Sequence, residues 1–95
     1  MLVVMAKIKI KPGTEKEFLE KVQPLIRGSR AEDGCISYGL YKSTEENDSF
    51  MMIEQWRNQI IFEKHTASTH FKQFGADAAP LMAAELDIKV YSVAD

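Results

Sequence analysis

The segment from Ser49 to Arg57 limits the fold more than any other. Phe50, Met52, Glu54 and Trp56 alternate with Met51, Ile53 and Gln55, so a strand here carries mostly apolar side chains on both faces. Such a strand needs cover on both sides of its sheet. The chain has 95 residues, enough for one domain with a single core, and its helices suffice for one side only. The uncovered side calls for a partner. A homodimer packing sheet against sheet supplies it, since closed twofold dimers are the commonest oligomers.

Three more strands are legible. Leu2, Val4, Ala6, Ile8 and Ile10 share one face of a strand over residues 2–10, with Lys7 and Lys9 on the other. Residues 35–42 alternate Ile36, Tyr38 and Leu40 against Cys35, Ser37, Gly39 and Tyr41, and the polar run from Ser43 to Asp48 joins this strand to the next as a hairpin. Residues 86–93 alternate again, with Leu86, Ile88 and Val90 on one side.

Between the strands the period changes. After a turn at Lys11, Pro12 and Gly13, Thr14 and Glu17 fit a capping box, and Phe18, Val22, Leu25 and Ile26 follow at helical spacing. Pro24 lies inside that pattern and predicts a kink or a division, with the stretch from Gly28 to Gly34 as helix end and loop. Asn58 caps a second helical region carrying Ile61, Phe62 and His65. Thr66 to Thr69 interrupts it, and Ser68 or Thr69 restarts it with Phe71, Phe74 and Ala78. Gly75 and Pro80 predict irregularity towards its end. The order βαββαβ specifies an α+β, ferredoxin-like domain with a four-stranded antiparallel sheet and helices on one face.

Composition excludes several classes. Twelve basic against 14 acidic residues give a net charge of -2, with basic residues scattered singly, so nothing favours nucleic acid or an acidic membrane. The start LVVMAKIKIK alternates into lysines, which predicts neither signal peptide nor membrane span and places the protein in the cytoplasm. The one cysteine, Cys35, forms no internal disulfide and reads as a small buried residue.

Reactive side chains concentrate between Glu54 and Phe71. On one unbroken helix His65 and His70 would point roughly 140° apart, so they converge only if the helix breaks near Ser68. With no acidic or thiol ligand nearby in sequence, the pair predicts no metal. A histidine does suit a general base or a hydrogen-bond partner for a substrate hydroxyl, the alternative being a helix-end imidazole bonded to a carbonyl. Glu54 shares a strand face with Trp56, and a carboxylate in that setting needs either a lysine or arginine partner or a raised pKa. Tyr38, Met52, Phe71 and Phe74 suit a flat aromatic ligand, and they equally suit a small core.

Joint order and spacing carry a family resemblance. EDGCISY (Glu32 to Tyr38), FMMIEQW (Phe50 to Trp56), His65 and STHF (Ser68 to Phe71) together resemble the antibiotic biosynthesis monooxygenase family, dimeric ferredoxin-like α+β barrels. The resemblance implies a homodimer through its sheets and a small pocket between sheet and helices in each subunit. It also implies oxidation of a quinol or similar phenol by oxygen without cofactor. In that reading His65, His70, Trp56 and Glu54 are the catalytic candidates, and Tyr38, Met52, Phe71 and Phe74 bind substrate. Relatives that degrade haem usually carry an asparagine where this chain has Ala6. Isomerisation of a small phosphorylated metabolite is the alternative activity, against which stand only isolated arginines at Arg27, Arg30 and Arg57. A dimeric, non-enzymatic ligand-binding module is the third reading.

Overall fold

Strand β1 (Leu2–Lys9) lies at the centre of the sheet, between β3 (Ser49–Trp56) and β4 (Asp87–Ser92), and β2 (Cys35–Lys42) pairs on the far side of β3. All three pairings are antiparallel, in the order β2-β3-β1-β4. The computed structural model describes residues 1–94. Helix α1 (Glu15–Arg30) links β1 to β2, while α2 (Gln59–Thr66), α3 (Thr69–Ala78) and a 3-10 turn (Ala79–Leu81) link β3 to β4. This is the ferredoxin-like α+β arrangement. Among the described residues no helix is long and apolar enough to cross a membrane.

The helices cover one face. Leu2, Val4, Ala6 and Ile8 of β1 and Phe50, Met52, Glu54 and Trp56 of β3 point into that layer and are buried. Phe18, Val22, Leu25 and Ile26 of α1 close it from above, with the Phe18 ring 4.9 Å from Phe50 and 6.2 Å from Phe74. Full burial of each such side chain contributes about 1.5–3 kcal/mol. On the opposite face Val3, Met5, Met51 and Ile53 are only partly covered, and Tyr41 is 58% exposed. No second chain is needed to form the sheet, yet this apolar face remains open.

Several local expectations change. Thr14 does not cap α1 through its side chain; its hydroxyl donates to the Lys11 carbonyl at 2.7 Å, which tightens the preceding turn instead. Pro24 does not divide the helix, which runs to Arg30, so the stretch from Gly28 to Gly34 does hold the helix end and a loop, with Gly28 itself still helical. Pro24 and Glu20 are both on the exposed side, where water can satisfy the carbonyl that a proline leaves without a donor. Strict alternation fails in β2. A bulge between Cys35 and Ser37 sets Cys35 opposite Trp56 and Tyr38 opposite Glu54, and it turns Ile36 outward to 54% exposure. One extra residue re-aims the strand so that Cys35, not Ile36, packs beside the core.

Candidate active site

The sheet register assembles the floor of a pocket. Tyr38, Glu54, Val4 and Val90 face one another across the four strands, and the next inward row is Leu40, Met52, Ala6 and Ile88. Ala6 contributes only a methyl group between Met52 and Ile88, and the space it leaves belongs to a cavity of about 60 Å3. Tyr38, Met52, Glu54 and Ala6 line it from the sheet, Phe62 and His65 from α2, and Phe71 and Phe74 from α3. Leu86 and Ile88 stand at its β4 side and are partly exposed. The lining is almost wholly apolar, and no lysine or arginine contributes to it.

His65 enters this space because the second helical region breaks where the hydroxyl residues predict. Asn58 caps α2 by accepting from the Ile61 N–H at 3.0 Å. The chain resets at Ala67 and Ser68, and the Ser68 side chain accepts from the Phe71 N–H to start α3. The Ser68 hydroxyl also donates to the His65 carbonyl at 2.6 Å. The two histidines then turn to one carboxylate. Glu32 Oε2 lies 2.7 Å from His65 Nδ1 and 3.0 Å from His70 Nε2.

The two histidines do not share the pocket. His65 is 1% exposed and lines it, whereas His70 lies on the outer side of Glu32 and does not. His65 Nε2 is 3.9 Å from Glu54 Oε1, so the imidazole stands between two acids: one bonded behind it, one facing it across the cavity. Ser29, fully buried on α1, adds its hydroxyl 3.5 Å from His65 Nδ1.

Trp56 is fully buried and does not line the pocket. Its indole N–H donates to Glu54 Oε1 at 3.0 Å. Of the two outcomes the sequence left open for Glu54, a lysine or arginine partner or a raised pKa, the structure shows no such cation among the described residues and an indole in its place. Burial pushes the Glu54 carboxyl up to about 7; the Trp56 hydrogen bond opposes this and the charge of Glu32 adds to it. Burial pulls the His65 imidazole below its ordinary value against the opposing pull of Glu32. The Tyr38 hydroxyl is held protonated, by burial first and by Glu54 second. At neutral pH the pocket therefore presents a neutral imidazole beside a carboxyl poised between its two forms.

Of the eight candidate residues, Tyr38, Met52, Glu54, His65, Phe71 and Phe74 meet at the pocket, and Trp56 and His70 stand behind it. Sequence reasoning assigned no role to Glu32, which lies 33 residues before His65. The expectation of no metal assumed that no acidic ligand lay close to the histidines. Glu32 removes that assumption, because Glu32, His65 and His70 each offer one ligand atom and all lie within 4.8 Å of one another.

A helix-covered antiparallel sheet with an apolar pocket and a buried histidine between two carboxyls defines a small ferredoxin-like α+β domain. A family profile described as antibiotic biosynthesis monooxygenase matches residues 1–77, and the chain belongs to that family. It is 38% identical over 88 residues to a Bacillus subtilis protein named "Putative monooxygenase YcnE", covering 93% of each chain. It is 37% identical over 94 residues to an uncharacterised Synechocystis protein, covering 99% of this chain and 64% of that one. An Escherichia coli relative, "Probable quinol monooxygenase YgiN", is 27% identical over 100 residues with 95% of each chain covered. Among solved structures, a protein from Methanosarcina mazei superposes with a TM-score of 0.91 at 31% identity, covering 95% of this chain and 89% of that one. The family and these named relatives support a monooxygenase in general.

Proposed function

We propose that the protein is a cytoplasmic, homodimeric monooxygenase that oxidises a quinol or similar electron-rich phenol with molecular oxygen and without a cofactor. The observation that carries this reading is His65, fixed by Glu32 at Nδ1 while its Nε2 edge faces Glu54 in an otherwise apolar pocket. With its Nδ1–H donated to Glu32, His65 keeps a lone pair on Nε2, the arrangement a general base needs.

In this mechanism His65 Nε2 takes the proton of a substrate hydroxyl. The phenolate gives an electron to oxygen, and the two radicals combine to form a carbon–oxygen bond. Cleavage of the O–O bond leaves one oxygen atom on the ring and releases the other as water, with the quinol supplying all the electrons. In this reading Glu54, held by Trp56, returns a proton to the departing oxygen. Phe71, Phe74, Met52 and Tyr38 hold the ring and exclude water, which strengthens each polar contact.

A cavity of about 60 Å3 has room for water rather than an aromatic ring. Substrate entry in this reading displaces the partly exposed side chains at its mouth, Phe71 and Leu86. The open face of the sheet and the exposed apolar residues of β4 support the dimer. Isomerisation of a phosphorylated metabolite is disfavoured by the lack of any cation in the lining. Oxygen uptake by demetallated protein with a panel of quinols tests the proposal. Rates above those in buffer support it, and rates equal to buffer across the panel remove it.

A further inference from the structure

We infer that Glu32, His65 and His70 form a binding site for one first-row divalent transition-metal ion, such as Zn2+ or Co2+, set behind the pocket rather than in it. The three ligands come from three separate segments: the loop after α1, the last turn of α2 and the first turn of α3. Their ligand atoms all lie within 4.8 Å of one another. Oε2 of Glu32 sits 2.7 Å from one imidazole nitrogen and 3.0 Å from the other. An octahedral ion bonded at about 2.1 Å places adjacent ligand atoms about 3.0 Å apart, and a tetrahedral one about 3.4 Å. Octahedral spacing needs the shorter Glu32 contact to open by about 0.3 Å, tetrahedral spacing needs the two Glu32 contacts to open by about 0.7 and 0.4 Å, and either draws together the two imidazole nitrogens, which lie within 4.8 Å of each other.

The donor chemistry narrows the ion. Two imidazoles and one carboxylate suit first-row transition ions and are a poor set for Mg2+ or Ca2+, which favour all-oxygen shells. The ion pairs of Glu32 are both with histidines, and among the described residues no lysine or arginine bridges to it. The Glu32 and His70 side chains retain 17% and 25% exposure, which gives an ion a route in and water for its remaining positions.

Gly28 makes room for this arrangement. A Cβ there would lie 2.7 Å from Cγ and 2.8 Å from Nδ1 of the His70 ring, so only a glycine on α1 lets that rigid ring approach as it does. Glu32 and His70 are outside the pocket lining, which keeps the ion away from a bound substrate. It would still act on the pocket. An imidazole that binds an ion through Nδ1 carries its proton on Nε2, so the lone pair facing Glu54 is lost. The ion is then an inhibitor of the oxidation, a consequence that rests on the function proposed above; the binding itself does not.

The test is calorimetric titration of demetallated protein with Co2+, followed also by its visible absorption. The expected result is one ion per chain, with affinity reduced at least about tenfold in each of Glu32→Gln, His70→Ala and Gly28→Ala. Gly28→Ala keeps all three ligands and displaces only the ring, and thermal melts confirm that each variant is folded. No binding by the wild type, or equal affinity in folded Glu32→Gln and His70→Ala, overturns the site and leaves a purely hydrogen-bonded cluster. Saturating Zn2+ should also slow quinol oxidation by the wild type at concentrations that leave His70→Ala unaffected. Ion binding at this site in a protein that oxidises no quinol upholds the site and refutes the proposed reaction.

Discussion

The Trp56 indole N–H donates to Glu54 Oε1 at 3.0 Å from two positions further along the same strand face. Both side chains are buried, so the hydrogen bond is shielded from bulk solvent. Trp56→Phe keeps most of the apolar volume and removes the donor. It should cost about 1–3 kcal/mol at pH 8, where the carboxylate is ionised, and raise the Glu54 pKa further. Chemical denaturation at that pH checks the first result, and carboxyl titration by NMR the second.

Glu54 also sets a pH dependence. Its carboxyl has an ordinary value of 4.5 and is pushed up to about 7 in the folded chain. Between those values the folded state keeps a proton that the unfolded chain has lost, so stability falls as pH rises through the window, by about 3 kcal/mol in all. His65 acts with the opposite sign: its folded value is lowered, above all by burial, so its contribution is lost as pH falls below the usual imidazole range. Subtracting the stability curve of Glu54→Gln from that of the wild type isolates the carboxyl. The difference should decline from pH 5 to pH 8, and a flat difference would contradict the raised value.

Gly34 has φ of +87°, and a Cβ there would lie 2.7 Å from Ile61 Cγ2. Gly34→Ala should destabilise the fold by about 1–3 kcal/mol. Because Gly34 ends the loop that carries Glu32, the substitution should also disturb the Glu32–His65 bond, which an upfield change in the His65 Nδ1 proton resonance would report.

The open sheet face predicts a dimer by sedimentation at micromolar concentration. Ile53 lies in the middle of that face, paired with Met5 and Gly39. Ile53→Lys should yield a folded monomer, since a charge there is tolerated by solvent and not by an apolar interface. A monomeric wild type would show that this face stays open.

The sequence announced its elements where side-chain period and turn chemistry agree, as in the alternation of β1 and β3 and the hydroxyl-rich break before α3. It did not announce the bulge at Cys35 to Ser37, because one extra residue leaves composition unchanged while moving Ile36 out and Cys35 in. Pro24 was misleading for a related reason: its cost depends on which side of the helix it occupies, and that side faces solvent. The pocket wall from Glu54 to Phe71 was legible as a cluster. Glu32 was not, since only the closure of α1 onto α2 and α3 brings it to His65. Trp56 looked like a pocket residue by its face, yet it packs one row beyond the cavity and acts through Glu54.

The most direct test of the central claim compares His65→Ala with His70→Ala in oxygen uptake, using demetallated protein and a quinol that the wild type oxidises. His65→Ala should lower kcat by about 100-fold or more, as expected for loss of a general base, while His70→Ala, outside the pocket, should lose far less. Wild-type turnover by His65→Ala would contradict the account.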